Sequence, residues 1–386
     1  MMCCPYFRIS AALLGVAAVG GAVWTGTHRA QAAPSAETKA AVTQGFAKGN
    51  PDYKSIGPLA FSPQGVLFFA DDQGGAVYGV DLEEKSSQSA AFAKVPDLGA
   101  TIAARLGTTV KGIQIKDVVL SPVSHSLYLS VRKLDGADQS AENPANYALF
   151  AVDTQGKVTP VDLAGKRFGK VAVGSQKDAR NPTAISDIAY AKGRLLCAAL
   201  SKEQFSSNLV SVPVPFKADG VERFATAIYH VSHKRQETAS PIQTLTVYQD
   251  GDREYLMAAY VCTPVVRFNL EDLKPNQTVT GTTVAELGSG NKPMAMIAYG
   301  KPGSQSLLLN NSVFGIMKVS TSIAMEKAAV NEQTKADRGG RGANPYPGID
   351  VVDSLKDAKG YAAAGDGLVV VKSTPDNLSL EQMAAP

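Results

Sequence analysis

Short apolar runs separated by turn residues recur along the chain. The first copy has apolar runs at Leu59–Phe61, Val66–Ala70 and Ala76–Asp81, and the turns between them read Ser-Pro-Gln-Gly and Asp-Gln-Gly-Gly. Runs of this length, bounded by Gly, Pro, Asn and Asp, are typical of β-strands joined by tight turns. The copy therefore predicts three consecutive strands, which we call a, b and c.

The same three-strand pattern can be traced six times. Strand a starts near Leu59, Val118, Ile188, Leu245, Met296 and Val351, and strand b follows at residues 66–70, 127–131, 195–200, 255–260, 306–310 and 361–364. A strand pattern with a period of about 50 to 70 residues predicts an all-β fold. We expect a six-bladed β-propeller of four-stranded antiparallel blades over residues 50–380, with seven blades as the alternative. Residues 36–54 or 378–383 are expected to supply the strand that closes the ring.

Two copies carry the motifs for a family resemblance. Residues 59–71 read LAFSPQGVLFFAD, and residues 118–130 read VVLSPVSHSLYLS. On these motifs, residues 55–373 resemble the six-bladed propeller superfamily that includes NHL-repeat and gluconolactonase/regucalcin-like proteins. The resemblance implies a secreted bacterial propeller, and related gluconolactonase-like enzymes hold a metal ion at the central channel. It identifies blades and does not identify an activity.

The first 32 residues differ from the rest of the chain. Arg8 precedes an apolar run at residues 9–24, and Ala30-Gln31-Ala32 has the small-x-small pattern of a cleavage site. This order predicts a signal peptide at 1–32 and a periplasmic or secreted protein, with an uncleaved membrane anchor as the alternative. Residues 33–49 then form an N-terminal extension, the possible source of the closing strand, and residues 381–386 form a tail.

Net charge limits the classes of partner, and cysteine content limits the possible disulfides. Without Arg8 and Arg29 the chain has 36 Lys and Arg against 35 Asp and Glu, a net charge of +1, so nothing indicates a nucleic-acid partner. Cys197 and Cys262 remain after processing, in a compartment that permits disulfides. Either they form one bridge or both are buried thiols in apolar strands.

Carboxylates recur at the start of predicted strand a. Asp117, Asp187 and Asp350 each precede an apolar pair, and the corresponding positions in the other copies are Pro58, Thr244 and Ala295. Strand a is innermost, so these groups, with Asn310 at the end of a strand b, are expected around the mouth of the central channel. Oxygen ligands that converge there would suit Ca²⁺. The alternative is that each Asp caps its own turn by accepting backbone N–H groups.

A second candidate metal site is His230-Val-Ser-His233-Lys-Arg-Gln-Glu237. Two of the three histidines that follow the signal segment lie three residues apart here, with a carboxylate four residues further on. If the segment forms a helical turn or a loop, His230, His233 and Glu237 could bind Zn²⁺ or Cu²⁺. The alternative is a surface loop without a metal.

No specific catalytic motif appears. The chain lacks a Gly-x-Ser-x-Gly elbow, a phosphate-binding loop, a dinucleotide fingerprint and a Cys-x-x-Cys-His site for covalent haem. The long connections at 101–112, 134–146, 164–183 and 326–347 are expected on one face, where binding sites usually lie. The sequence therefore favours a binding scaffold for a protein or small ligand and leaves enzyme activity open. The alternative is a metal-dependent hydrolase of lactonase type built on Asp117, Asp187 and Asp350.

Overall fold

β-strands are the main secondary structure of the described residues. The computed structural model describes residues 37–386 except 137, 174–183, 201–206, 231–234, 239, 262–263, 276, 288–289 and 326–348. The strands are β1 (Ala47–Gly49), β2 (Leu59–Phe61), β3 (Val66–Asp71), β4 (Ala76–Asp81), β5 (Ile113–Leu120), β6 (Leu127–Lys133), β7 (Tyr147–Val152), β8 (Val158–Val161), β9 (Lys166–Ala172), β10 (Ile185–Ala191), β11 (Arg194–Leu200), β12 (Ser207–Pro213), β13 (Glu222–His230), β14 (Arg235–Glu237), β15 (Ile242–Asp250), β16 (Arg253–Tyr260), β17 (Pro264–Asn269), β18 (Thr278–Thr280), β19 (Thr282–Glu286), β20 (Pro293–Tyr299), β21 (Ser306–Asn311), β22 (Gly315–Val319), β23 (Ile349–Val351), β24 (Ala358–Ala364), β25 (Gly367–Ser373) and β26 (Leu378–Ala384).

Helices are few and short. The α-helices are α1 (Lys39–Val42), α2 (Leu98–Leu106) and α3 (Thr321–Ala324), and single 3₁₀ turns lie at Val110–Gly112, Pro144–Asn146, Ala218–Gly220, Leu270–Asp272 and Asp353–Leu355. Within the described ranges, no helix has the length and apolar character needed to cross a membrane.

The strands form six antiparallel blades in the described part of the chain, which confirms the predicted propeller. From the inside outward, blade 1 is β2, β3, β4 and β9; blade 2 is β5 to β8; blade 3 is β10 to β13; blade 4 is β15, β16, β17 and β19; blade 5 is β20 to β23; and blade 6 is β24 to β26. The apolar cores lie between neighbouring blades, and β3 is buried along its whole length. Burial on both faces explains why its sequence is a continuous apolar run.

The blades do not follow one another around the ring in chain order. Blade 1 lies between blades 2 and 3, because β2 contacts both β5 and β10. Residues 82–94 leave blade 1 and cross blade 2, where Glu84 accepts hydrogen bonds from the hydroxyls of Ser121, Ser124 and Tyr128. The chain then completes blade 2 and returns through β9, which is the outer strand of blade 1. The predicted long connection at 164–183 therefore contains a blade strand.

Blade 6 consists of β24 to β26, so among the described residues the expected blade with strands from both chain ends is not seen; an isolated bridge joins its edge to Val95. Val95 and Leu380 exchange two backbone hydrogen bonds of 2.8 Å, which adds an N-terminal segment to the edge of β26. Residues 378–383 lie within β26, the third strand of blade 6. Ala47–Gly49, the other expected source of the closing strand, instead pairs with β9 as a fifth strand at the outer edge of blade 1.

The predicted strand order of the last blade is wrong by one strand. Val351 belongs to β23, which pairs with β22 as the outer strand of blade 5, so the inner strand of blade 6 is β24. A three-residue outer strand that reads Ile-Asp-Val has the same apolar signal as an inner strand, and this similarity misled the alignment. The described strands before and after residues 326–348 are β22 and β23, strands c and d of one blade, so the predicted connection there is not a link between blades; its own residues lie outside the described part of the chain.

Candidate ligand-binding site

Five of the six innermost strands share a bulge at the same position. We call the face where the innermost strands begin the upper face, and the face where they end the lower face. On the upper face the pairing of strand a with strand b skips one residue per blade: Lys116, Ser186, Gln243, Met294 and Lys359. A bulge re-aims the extra side chain, and bulges are common beside functional sites. Here they form a ring of side chains that begins the wall of the central channel.

Most of this ring lines a cavity of about 310 Å³ inside the channel. Lys116 approaches Asp72 Oδ2 of blade 1 at 3.4 Å, whereas Lys359 is exposed and Met294 is 57% exposed. In blade 1, Gly57 precedes Pro58 and lies beside Asp72. A Cβ atom at position 57 would lie 2.9 Å from Asp72 Cγ, so only glycine leaves room for the carboxylate of Asp72. The rim is therefore polar and cationic on one side and apolar at Met294.

Asp117 is held to the neighbouring blade. Its Oδ2 accepts the backbone N–H of Leu59 at 2.7 Å, and its Oδ1 accepts the N–H of Val118 at 2.8 Å. Burial, and after it the nearby charge of Asp187, raise the pKa of Asp117 to about 7 against the lowering effect of the two amides. The carboxyl group lines the cavity and joins blade 2 to blade 1.

Asp187 repeats this arrangement between blades 3 and 4. Its Oδ2 accepts the N–H of Leu245 at 2.9 Å and the hydroxyl of Thr244 at 2.6 Å, and its Oδ1 accepts the N–H of Ile188 at 2.8 Å. Burial raises the pKa of Asp187 to about 6, although the three donors favour the charged form. The alternative expectation, that each Asp caps its own turn, holds in part for Asp117 and Asp187. Each carboxylate accepts one backbone N–H from its own blade and one from the neighbouring blade.

Asp350 does not join the other two carboxylates. It lies on β23, exposed at the outer edge of blade 5, and is paired in register with Lys318. The expectation that it stands at the start of an innermost strand is therefore wrong, and Gly360 occupies the equivalent position in blade 6. Asn310 is half-buried on β21, in register with Ala295.

The described ends of the histidine segment lie on strands β13 and β14. His230 is completely buried at the end of β13, and its Nδ1 shares a hydrogen bond of 2.7 Å with Glu237 Oε2 on β14. Arg235 donates to the other oxygen of Glu237 at 2.9 Å. His233 lies outside the described residues. In the portion of the chain that is described, no group of three or more His, Cys, Asp and Glu side chains could hold a metal ion.

Cys197 is a free thiol, fully buried in β11, where burial raises its pKa. This is one of the two arrangements expected for it. Cys262 lies outside the described residues.

The upper face also has the exposed apolar side chains. Among the described residues, the large hydrophobic side chains that are exposed are Leu134, Met294, Val313 and Val351. Leu134 begins the insertion after β6, Val313 is in the turn between β21 and β22, and Val351 ends β23. Strands b and d end on the upper face, so all four lie on or near it, three of them in blade 5. Sequence reasoning missed this group and the bulge ring, although four of the five bulge residues directly precede a position that had been aligned.

The fold and site define a six-bladed β-propeller with a channel cavity. No protein-family model and no curated protein matches the sequence. Solved structures with a similar fold include hydrazine synthase of Kuenenia stuttgartiensis, at 12% identity and a TM-score of 0.38, over 89% of this chain and 98% of that one. The PQQ-bound aldose sugar dehydrogenase from Streptomyces coelicolor is similar at 14% identity and a TM-score of 0.34, over 87% and 97%. Streptogramin B lyase gives 10% identity and a TM-score of 0.34, over 88% and 97%. These likenesses concern the fold alone.

Proposed function

We propose that this chain is an exported propeller that acts as a binding scaffold and recognises a protein partner or a small ligand on its upper face. The observation that supports this most is the placement of the exposed apolar side chains Met294, Val313 and Val351 on the upper side of blade 5. Single exposed hydrophobic residues are ordinary, but several on one side of a molecule are typical of binding surfaces. The channel cavity beside Met294 has the size of a small-molecule site.

Export and membership of the NHL-repeat and gluconolactonase-like superfamily belong to the same proposal. Export is supported by the signal-like pattern at residues 1–32, and the superfamily by the motifs at 59–71 and 118–130. N-terminal sequencing of protein recovered from the periplasm or medium should start at Ala33. A start at Met1 would favour the anchor.

The upper-face proposal is tested by comparing two double variants. Replacement of Met294 and Val313 by Ser should abolish retention of the partners that the wild-type protein enriches from its own compartment. The matched control replaces Asp252 and Lys301 by Ser, two exposed residues in turns on the lower face, and should retain them. If both variants retain the same partners or ligands as the wild type, the upper face is not the binding surface.

The alternative is a hydrolase with a metal ion at the channel. Its supporting observation is that Asp117 and Asp187 both line the cavity and are close enough for one charge to raise the pKa of the other. A cation between them would relieve this repulsion. Two features weigh against it: Asp350 is on the outer edge, and the oxygens of both channel carboxylates already accept hydrogen bonds. Stoichiometric Ca²⁺ or Zn²⁺ in purified protein that is lost in Asp187→Ala would favour the hydrolase, whereas lactone hydrolysis insensitive to chelators would exclude it.

A further inference from the structure

A second cavity opens on the lower face, where the innermost strands of four neighbouring blades end. Its volume is about 420 Å³, within the range of small-molecule sites. Its walls are mainly apolar and aromatic, formed by Phe61, Pro63, Leu120, Pro122, Tyr190 and Val247. The cavity therefore has room and apolar surface for an organic molecule, and we call it the lower cavity.

One carboxylate in the lower cavity has an unused oxygen. Glu254 is half-buried near the start of β16, and its Oε1 accepts a hydrogen bond of 3.2 Å from Gln249 Nε2. Gln249 is fixed in turn, because its backbone N–H donates to Gln305 Oε1 at 2.7 Å. Glu254 Oε2 is buried and has no hydrogen-bond partner in the described part of the chain. A buried carboxylate oxygen without a donor is unfavourable, and Glu254 lines the lower cavity, so its carboxylate is suited to a donor brought by a ligand, which Oε2 reaches when the carboxyl group rotates.

The cation in the wall does not neutralise Glu254. Lys192 lines the same cavity, but its ammonium lies 3.6 Å from Glu271 Oε1. Apart from Lys192 and Glu254, the side chains that line this cavity are the amides Gln249 and Gln305 and apolar or aromatic groups. The lower cavity thus combines a fixed negative charge with aromatic walls.

We propose that the lower cavity binds an organic cation, with an ammonium group attached to an apolar or aromatic body. The ammonium pairs with the carboxylate of Glu254, and the apolar body packs against Phe61, Leu120 and Tyr190. The faces of aromatic rings attract cations, so Phe61 and Tyr190 favour the same class of ligand. This site is at the other end of the channel from the upper face and stands on separate observations.

Three probes of similar size and different charge test the proposal in the wild-type protein. Calorimetric titrations at pH about 7.5 would compare 2-phenylethylammonium, 2-phenylethanol and 3-phenylpropanoate. A charged hydrogen bond predicts that the ammonium binds about tenfold or more tightly than the alcohol, and that the carboxylate binds most weakly. Equal affinity for all three probes, or no binding of the ammonium, would overturn the proposal without any variant.

Variants then assign the binding to Glu254. Glu254→Gln keeps the shape and should lower the affinity for the ammonium by about tenfold while it leaves the alcohol unchanged. The matched control is Asp252→Asn, which removes an exposed carboxylate in a lower-face turn that does not line the cavity. If Glu254→Gln proves unstable in thermal melting, Phe61→Leu offers a second test. The loss of an aromatic ring should lower the affinity for the ammonium more than the affinity for the alcohol. Unchanged ammonium binding in Glu254→Gln or Phe61→Leu, or an equal loss in the control, would refute the site.

Discussion

Replacement of Asp187 tests whether the channel carboxylates hold neighbouring blades together. Asp187→Ala removes the acceptor for two backbone amides, those of Ile188 and Leu245, and for the hydroxyl of Thr244. A buried donor left without an acceptor costs about 1–3 kcal/mol, and the lower value applies here because the carboxyl faces a cavity that water can enter. The hydroxyl can rotate to another acceptor, so the two amides dominate. We expect the free energy of unfolding to fall by about 2–3 kcal/mol.

The assay is equilibrium unfolding in urea followed by far-ultraviolet circular dichroism. The single tryptophan, Trp24, lies in the N-terminal segment, so tryptophan fluorescence would not report on the propeller. The urea concentrations at the unfolding midpoint should be compared only between variants that share the same slope of unfolding free energy against urea. A changed slope would indicate a loss of two-state behaviour.

Two matched variants separate the blade contact from a general effect of losing an acid. Asp350→Ala removes an exposed carboxylate on the outer strand of blade 5 and should change the stability by no more than about 0.5 kcal/mol. Thr244→Val keeps both amide bonds and should cost about 1 kcal/mol. If Asp187→Ala unfolds at the same urea concentration as Asp350→Ala, the carboxylate does not join blades 3 and 4.

Three further outcomes follow from the structure. The pKa of Asp117 is about 7 in the native state against 3.8 for an ordinary aspartate, so between these pH values the native state keeps a proton that the unfolded chain has lost. Stability should therefore fall as pH rises from about 4 to about 7 and then level off, and Asp117→Asn should flatten this slope in urea titrations at several pH values. Val95→Pro removes one of the two hydrogen bonds to Leu380 and should lower the thermal midpoint, whereas Val95→Ala keeps the backbone amide and should not lower it through this loss. In a chain that starts at Ala33, without Cys3 and Cys4, and that carries Cys262→Ser, Cys197 should react with Ellman's reagent only after unfolding, and immediate reaction would contradict its burial.

The number of blades could be predicted from sequence because each strand has a strong local signal. Val66–Asp71 is a continuous buried run, and the turns beside it have glycine at positive φ, at Gly65 (+77°) and Gly75 (+71°). The order of the blades could not be predicted, because it depends on residues 82–94. That segment is held mainly by polar contacts such as Glu84 to Ser121 and Ser124, which leave no periodic pattern.

The candidate site was predicted in part for a related reason. Asp117 and Asp187 were placed correctly at the start of innermost strands, since each directly precedes an apolar pair. The bulge residues beside them were missed because an alternating pattern assumes one residue per step, and the extra residue of a bulge does not interrupt the apolar run. Asp350 satisfied the same local pattern on an outer strand, so only the pairing of β23 with β22 distinguishes it.

The two ends of the channel differ in chemistry although they share walls. Phe61, Val119, Tyr190 and Val247 line both cavities, so the cavities meet along the innermost strands. At the upper end the rim has exposed Lys359 above carboxylates that accept backbone amides, whereas at the lower end the carboxylate of Glu254 has a free oxygen. An organic cation therefore finds its partner at the lower end and is opposed by Lys359 at the upper end. Because Glu254 makes no contact with the amides bound to Asp117 or Asp187, loss of amine binding in Glu254→Gln would report on the ligand and not on the contacts between blades.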